Sequence, residues 1–226
     1  QLLLSDELQT IYLVDNSPEP IRDSPWSNLH RARRVTYIYN SGHNLGYGAA
    51  HNIAIRKTLS ETELPYHLVL NSDIQLSTES LRTMLALMQQ NPEIGLMQPR
   101  IINSEGVEQH LAKLLPTPFD VFGRRFLPAK WMARRMWRYE LRDADSAQTL
   151  FAPYLSGCFM LLNCKALVET GLFDERFFMY PEDIDLTRRL SRHFLTIRWS
   201  GVTIVHAHKQ ASYHDMKMLW IHIVNM

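Results

Sequence analysis

The sequence predicts an α/β protein whose mostly parallel, Rossmann-like sheet is flanked by helices. Three observations carry that reading. Short apolar runs (Ile11-Tyr12-Leu13-Val14, His67-Leu68-Val69-Leu70, Ile94-Gly95-Leu96-Met97) alternate with stretches of helical periodicity, the pattern of βαβ units. The run His67–Leu70 is too continuously apolar to face water on one side, as expected of a strand covered on both faces. The polar clusters Asp15-Asn16-Ser17-Pro18 and Asn71-Ser72-Asp73 stand straight after such runs, and open parallel sheets gather ligands beyond the carboxyl ends of their strands.

The elements follow in order. Ile11–Val14 is a first short strand, and residues 18–34 are a polar, Pro-rich loop. Val35–Tyr39 is the next strand, followed by the Gly/Asn loop 40–48 and a helix from Ala49 to Leu59. His67–Leu70 is a third strand. Ser77 or Thr78 caps a helix that ends near Gln90, before Asn91-Pro92. Ile94–Gln98 is a fourth strand. Residues 110–153, with Pro116, Pro118, Pro128 and Pro153, break the pattern. Phe159–Leu162 reads as a strand, Asp183–Leu190 as a helix, and Thr196–Trp199 and Val202–Val205 as closing strands.

Bulk composition narrows the function classes. At 226 residues the chain suits one large domain or two small ones. Its 46% apolar and 21% charged residues are ordinary for a globular protein. A net charge of +1 gives no global field toward nucleic acid. Cys158 and Cys164 are too few for a disulfide framework and fit no common zinc spacing, so buried free thiols are expected. There is no apolar run of about 18 residues and no signal peptide, which makes a cytoplasmic, reducing setting the default. The opening Gln1-Leu2-Leu3-Leu4 and the apolar helical pattern at Leu219–Met226 read as ends cut from a longer protein.

Several residues are suited to chemistry, each with a plainer competing reading. Asp73, at a strand exit, can share a divalent cation with a diphosphate; Asn, Ser and Asp also simply favour turns. Asp15, with Asn16, can accept a hydrogen bond from the imide of uracil or thymine, or merely close an Asx-turn. Asn44, Gly46 and Gly48, with Asn52 in the following helix, allow close backbone approach to a ligand, or form an ordinary strand-to-helix turn. Glu182 and Asp183 follow Pro181 at a helix entrance, where the helix dipole favours carboxylates. There they can act as a general base or as caps, and the tight Glu182-Asp183-Ile184-Asp185 cluster exceeds what capping needs. His206, 23 residues beyond Asp183, can complete a metal shell at a strand end, with His208 as its rival. Residues 124–142 carry Arg124, Arg125, Lys130, Arg134, Arg135, Arg138 and Arg142 against Glu140, interleaved with Phe126, Trp131 and Trp137. This segment reads as a face for an anionic membrane or a lipid-linked phosphate, or as a solvated helix with arginines lying over aromatics. No nucleic-acid motif accompanies it.

Together these motifs resemble the family 2 glycosyltransferases of GT-A fold, in particular bacterial rhamnosyltransferase-like enzymes of O-antigen and other cell-surface polysaccharides. The matching stretches are Leu13–Ser17, Asn44 through Asn52, Leu70–Asp73, Ser156–Met160, Gly171–Glu175, Phe178–Leu186 and Val205-His206. The resemblance implies that Asp15 contacts the nucleobase and that Asn44 to Asn52 line the nucleotide pocket. Asp73 matches the last carboxylate of a metal-binding Asp-x-Asp motif whose first position here is Asn71. Asp183 matches the catalytic base, and His206 the histidine that closes the metal site. It further implies an apolar first strand ahead of Ile11, which this chain lacks.

The expectation is one GT-A domain in two halves: residues 1–105 bind the nucleotide sugar, and residues 106–226 bind the acceptor and carry catalysis. The activity expected is an inverting, Mg2+- or Mn2+-assisted transfer of rhamnose from dTDP-rhamnose, or of a hexose from a UDP-hexose, to a polyprenyl-diphosphate-linked saccharide. Such a protein would be cytoplasmic, free or peripheral on the cytoplasmic face of the bacterial inner membrane. A sugar-phosphate nucleotidyltransferase would want an N-terminal Gly-rich loop with Arg and Lys, and none is visible. A third reading is a nucleotide-sugar-binding or membrane-associated protein whose catalysis has decayed, toward which Asn71 points.

Overall fold

The computed structural model describes residues 7–20, 34–61, 63–145 and 147–207. Most of the expected loop at 18–34, the rival His208, the helical pattern at 219–226 and residues 1–6, ahead of which the first strand is expected to be missing, lie outside the described residues. Strands β1 (Ile11–Asp15) and β2 (Val35–Tyr39) pair in parallel as a sheet of their own. The helix after them, α1, runs Tyr47–Glu61. It is followed by β3 (Tyr66–Leu70), the two-residue β4 (Ile74–Gln75), α2 (Thr78–Gln90) and β5 (Ile94–Ile102). Beyond the irregular middle come β9 (Phe159–Asn163), α5 (Cys164–Thr170), α6 (Pro181–Leu190) and β10 (Leu195–His206). In the middle lie β6 (Ala112–Lys113), α3 (Pro118–Phe126), α4 (Ala129–Tyr139), β7 (Leu150–Phe151) and β8 (Tyr154–Leu155).

The main sheet has the order β3-β9-β5-β10-β4, with β7 also paired to β10. The long strands β3, β5 and β10 run the same way, as the sequence leads one to expect. Strand β9 runs against its neighbours β3 and β5, so the sheet is mixed. The reason is the route taken by the chain. Parallel neighbours need a crossover that returns to the starting edge. Residues 103–158 instead leave β5 at its carboxyl end and re-enter with Phe159 beside Leu70, the carboxyl end of β3. The excursion therefore brings its loops to the edge where Asp73 sits.

Both faces of the sheet are covered. On β9, Met160 and Leu162 join Ile55, Leu167, Leu186 and Leu190 in one cluster. Phe159 and Leu161 join Leu81, Met84, Met88 and Ile197 in the other. Each such side chain contributes roughly 1.5–3 kcal/mol by leaving water. Helix α2 is capped by Ser77, whose Oγ accepts the Ser80 N–H at 3.0 Å. The two closing strands expected from the sequence are one, β10, with a register shift between Trp199 and Thr203. Gly201 permits it, since a Cβ there would stand 2.3 Å from the Trp199 ring.

Within the pattern-breaking segment, α3 and α4 form a hairpin. Thr117 and Asp120 make a reciprocal capping box at the start of α3. Arg135 of α4 pairs with Asp120 and donates to Thr117 Oγ1 at 2.8 Å. Gly123 lets the Met132 sulfur come close, because a Cβ there would lie 2.9 Å from it.

Candidate active site

Helix α6 begins at Pro181 after Tyr180, a non-glycine residue held at φ +87°. The helix presents Glu182 and Asp183 in its first turn, and both are buried. Asp183 Oδ2 accepts the Gly157 N–H at 2.9 Å and Oδ1 accepts the Ile184 N–H at 2.8 Å. Burial pushes the Asp183 carboxyl up to about 6, against the pull of those two amides. Burial, reinforced by the Asp183 charge, pushes Glu182 up to about 8. Glu182 lies against the first turn of α1, where a Cβ on Gly48 would stand 3.3 Å from its Cγ. Its Oε2 is buried without a hydrogen-bond partner among the described residues.

Asp183 and the Asn71 end of the Asn71–Asp73 stretch are tied to one turn. Gly157 holds the Asp183 carboxylate, and the next residue, Cys158, accepts the Asn71 N–H through its carbonyl at 2.9 Å. Tyr47 bridges the same turn: its hydroxyl donates to Gly157 O at 2.7 Å and lies 3.1 Å from Asn71 Oδ1. The Asn71 side chain is thus directed at Tyr47. Two residues on, Asp73 Oδ1 lies 3.2 Å from Nε2 of the buried His206. Antiparallel pairing of β4 with the end of β10 sets this contact, His206 opposite Ile74. Gln109 orients the ring: its Oε1 lies 2.8 Å from His206 Nδ1 while its Nε2 donates to His206 O at 3.2 Å. With the proton on Nδ1, the Nε2 lone pair faces the carboxylate.

That pair fits a divalent cation. Neighbouring ligands of an octahedral ion with bonds of about 2.0–2.1 Å stand about 3 Å apart, and an imidazole whose second nitrogen is fixed by an amide is a well-oriented ligand. Among the described residues no group of three or more His, Cys, Asp or Glu side chains surrounds such a point. Asp73 and His206 would therefore supply part of a coordination shell and leave the rest to phosphate oxygens or water.

The nucleotide-side candidates form a second hydrogen-bonded unit. Asp15 is buried; Oδ1 accepts the Ser17 N–H at 2.9 Å in an Asx-turn, and Oδ2 accepts from the Tyr37 hydroxyl. Asn16 donates to Gly46 O at 3.2 Å and accepts from Asn40. Asn44 is exposed and caps its own turn, its Oδ1 accepting the Gly46 N–H at 3.0 Å. Gly46 has to be glycine: φ is +88° and a Cβ would lie 2.2 Å from Phe178 O. Phe178 O also accepts the Tyr47 N–H at 2.9 Å. The Asp15 loop, the glycine loop and the entrance to α6 are thereby tied together.

Asn52, expected to line the nucleotide pocket, has its partners elsewhere. It is fully buried and faces away from this loop; its amide donates to Phe173 O at 2.8 Å and Glu175 Oε1 at 2.9 Å and accepts the Phe173 N–H at 3.1 Å. These side-chain bonds all go to the 173–175 loop, so it fastens α1 to that loop. Three residues gained no role from the sequence although the geometry gives them one. Tyr47 was visible only as part of a glycine loop. Gln109 lies between the fourth strand and the pattern-breaking segment, where nothing marked it. Lys113 lies 5.7 Å and 5.8 Å from the centres of the Tyr139 and Tyr154 rings, and its charge opposes the rise at Asp183.

The described residues thus hold a buried carboxylate at the start of α6 and a carboxylate–imidazole pair at the end of β10 in one α/β domain. The sequence profile of the Glycosyl transferase family 2 domain matches residues 3–171. The chain belongs to glycosyl transferase family 2, and its fold is GT-A. It is 29% identical over 220 residues to the N-acetylglucosaminyl-diphospho-decaprenol L-rhamnosyltransferase of Mycobacterium tuberculosis, covering 93% of this chain and 70% of that protein. It is 29% identical over 168 residues to the low-salt glycan biosynthesis hexosyltransferase Agl10 of Haloferax volcanii, covering 72% of this chain. The chain spans only 48% of that archaeal relative. Among solved structures it is similar to GalNAc-T7 with UDP, GalNAc and Mn2+ (TM-score 0.60, 13% identity, 90% of this chain, 38% of that one). It is also similar to the mannosyltransferase PcManGT of Pyrobaculum calidifontis with GDP-Man and Mn2+ (TM-score 0.57, 15% identity, 93% of this chain, 52% of that one). No helix among the described residues is long and apolar enough to cross a membrane.

Proposed function

We propose that this chain performs an inverting sugar transfer from a nucleoside-diphosphate sugar to a polyprenyl-diphosphate-linked saccharide, in building a cell-surface polysaccharide such as an O-antigen. Rhamnose from dTDP-rhamnose is the sugar donor we favour, since the mycobacterial relative named as a rhamnosyltransferase aligns with 93% of the chain. The observation that carries the reading is the Gly157-Cys158 turn, which joins Asp183 to the Asn71–Asp73 stretch through two consecutive residues.

Asp183 acts as general base. The acceptor O–H gives its proton to the Asp183 carboxylate as the oxygen attacks the anomeric carbon from the face opposite the diphosphate. The anomeric C–O bond breaks and the nucleoside diphosphate leaves with the electron pair, so the configuration inverts. A base near 6 is largely ionised at neutral pH yet still able to take a proton in the transition state. Glu182, held near 8, keeps its proton and adds no second negative charge beside the base. Bound between Asp73 and His206, Mg2+ or Mn2+ would offset the charge that develops on the leaving diphosphate. The Asp15–Asn16 and Asn44–Gly46 loops would hold the base and ribose. The enzyme would work in the cytoplasm, peripheral to the membrane that holds its acceptor.

Calorimetric titration with dTDP and UDP, with Mn2+ and with chelator, tests the reading. The nucleotide should bind at least tenfold more weakly with chelator, and Asp73→Ala should lose that difference. Asp183→Asn should keep nucleotide affinity within about twofold and lower turnover about 10²–10⁴-fold, the usual weight of a general base. Equal affinity with and without metal removes the role given to Asp73. Joint loss of binding and turnover in Asp183→Asn makes that residue structural. Absence of sugar-donor hydrolysis under all conditions would favour a binding protein with decayed catalysis.

A further inference from the structure

Helix α4 has two unlike faces and no acidic residue. Its inner stripe is Met132, Met136 and Tyr139. Met132 is buried against Gly123 of α3, and the Tyr139 carbonyl accepts the Leu114 N–H at 2.9 Å. The opposite face carries Lys130, Trp131, Arg134, Trp137 and Arg138, all exposed. At 100° per residue the three cations occupy the middle of that face, with a tryptophan on each side. Trp131 is 69% exposed and Trp137 48%, and Phe126 at the end of α3 is 75% exposed. Arg135 does not belong to this face in function, because it fastens α4 to Asp120 and Thr117 and lies over the Phe119 ring.

Exposed aromatics of this size on a helix usually have something to cover them. Charge complementarity says what. Three cations without an acid on the helix suit a surface of phosphates, and flanking tryptophans suit the boundary between headgroups and acyl chains. A single-stranded nucleic acid would want a groove that tracks its backbone, whereas this face is the convex outside of one helix. We propose that the outer face of α4, with Phe126, docks the protein on an anionic phospholipid bilayer. What the dock is for rests on the sugar-transfer reading: Tyr139 ends the docked helix, Lys113 lies between Tyr139 and Tyr154, and Lys113 acts electrostatically on Asp183. The docked surface would thus set the base close to where a lipid-linked acceptor emerges.

Co-sedimentation with vesicles tests the proposal, using phosphatidylcholine alone and an equal mixture with phosphatidylglycerol. The protein should partition onto the mixed vesicles and not onto phosphatidylcholine. The triple variant Lys130→Gln, Arg134→Gln, Arg138→Gln should bind on the order of 100-fold more weakly, at about fivefold per cation. Trp131→Ala with Trp137→Ala should also weaken binding, and here the deficit should persist at high salt. Melting curves of the triple variant, and metal-dependent nucleotide affinity of both variants, should match the parent protein; Trp137→Ala also gives up the hydrogen bond from its indole N–H to Asp143 Oδ1. Vesicle binding unchanged in the triple variant, or equal binding to both vesicle types, overturns the proposal. Tighter binding of the same face to homopolymeric RNA overturns it in favour of nucleic acid. If nucleotide binding fails in the parent protein while vesicle binding stands, the sugar-transfer reading falls and the dock does not.

Discussion

Glu182 and Asp183 are neighbours with different surroundings, and the difference decides their chemistry. Asp183 receives two backbone amides, which limits the rise that burial imposes. Glu182 is packed against Gly48 and next to the Asp183 charge, and nothing comparable offsets its burial. A buried carboxyl whose folded value is raised binds its proton more tightly in the native state than in the unfolded chain. Between the usual glutamate value of 4.5 and about 8, the native state therefore holds the extra proton and stability falls as pH rises. Glu182→Gln removes the titration. Its melting temperature relative to the parent should climb steadily from pH 5 to pH 8, by several degrees at 2–4 °C per kcal/mol for roughly this chain length. Parallel melting profiles across that range would mean that Glu182 is ionised in the folded protein.

The elements legible in the sequence are those whose own residues decide them. Strands β3, β9 and the first half of β5 announce themselves by apolar runs, because both faces of the sheet are covered. Helix α2 announces its start through Ser77. Helices α3 and α4 do not, since their hairpin depends on Gly123 meeting Met132 and on Arg135 meeting Asp120, contacts that no periodicity encodes. In the site, Asp183 stands in an acidic cluster too dense for a cap, and Asp73 in a triplet at a strand exit, so both were visible. Asn52 reads from the sequence as a pocket residue because its position in the first helical turns suits one, and its role as a tie to the 173–175 loop is not legible there. Only the fold reveals that Phe173 and Glu175 come from more than a hundred residues away to use its amide. Asn52→Ala would leave the Phe173 N–H and C=O without that partner, at about 1–3 kcal/mol for each buried group left unsatisfied. The melting temperature should drop by about 4–24 °C, while nucleotide affinity below the transition stays within about twofold. A large loss of affinity in a protein that melts normally would return Asn52 to the nucleotide pocket.

At the scale of the whole molecule, the described strands form one main sheet and two separate two-stranded pairs, β1-β2 and β6-β8. The main sheet carries a buried cluster on each face, whereas among the described residues β1 and β2 are hydrogen-bonded into no larger sheet and are mostly half-buried. An isolated two-stranded pair is marginal in water, so this pair depends on its packing against α1 and on the bonds from Asn16 to Gly46 and Asn40. Local opening should therefore cost less there than in β5, β9 and β10. Amide hydrogen exchange should show β1 and β2 exchanging through an opening of lower free energy than the core strands, which exchange only on global unfolding. A nucleotide that bridges the Asp15 loop and the glycine loop binds only when both are formed. Saturating dTDP with Mn2+ should therefore slow exchange in residues 11–16 and 44–47, by a factor that approaches the ratio of ligand concentration to Kd. Amides in the middle of β5 should change only as much as global stability does. Uniform protection of both sheets without ligand would show that the framework opens as one unit. Slowing confined to residues outside the Asp15 and glycine loops would place the nucleotide elsewhere in the molecule.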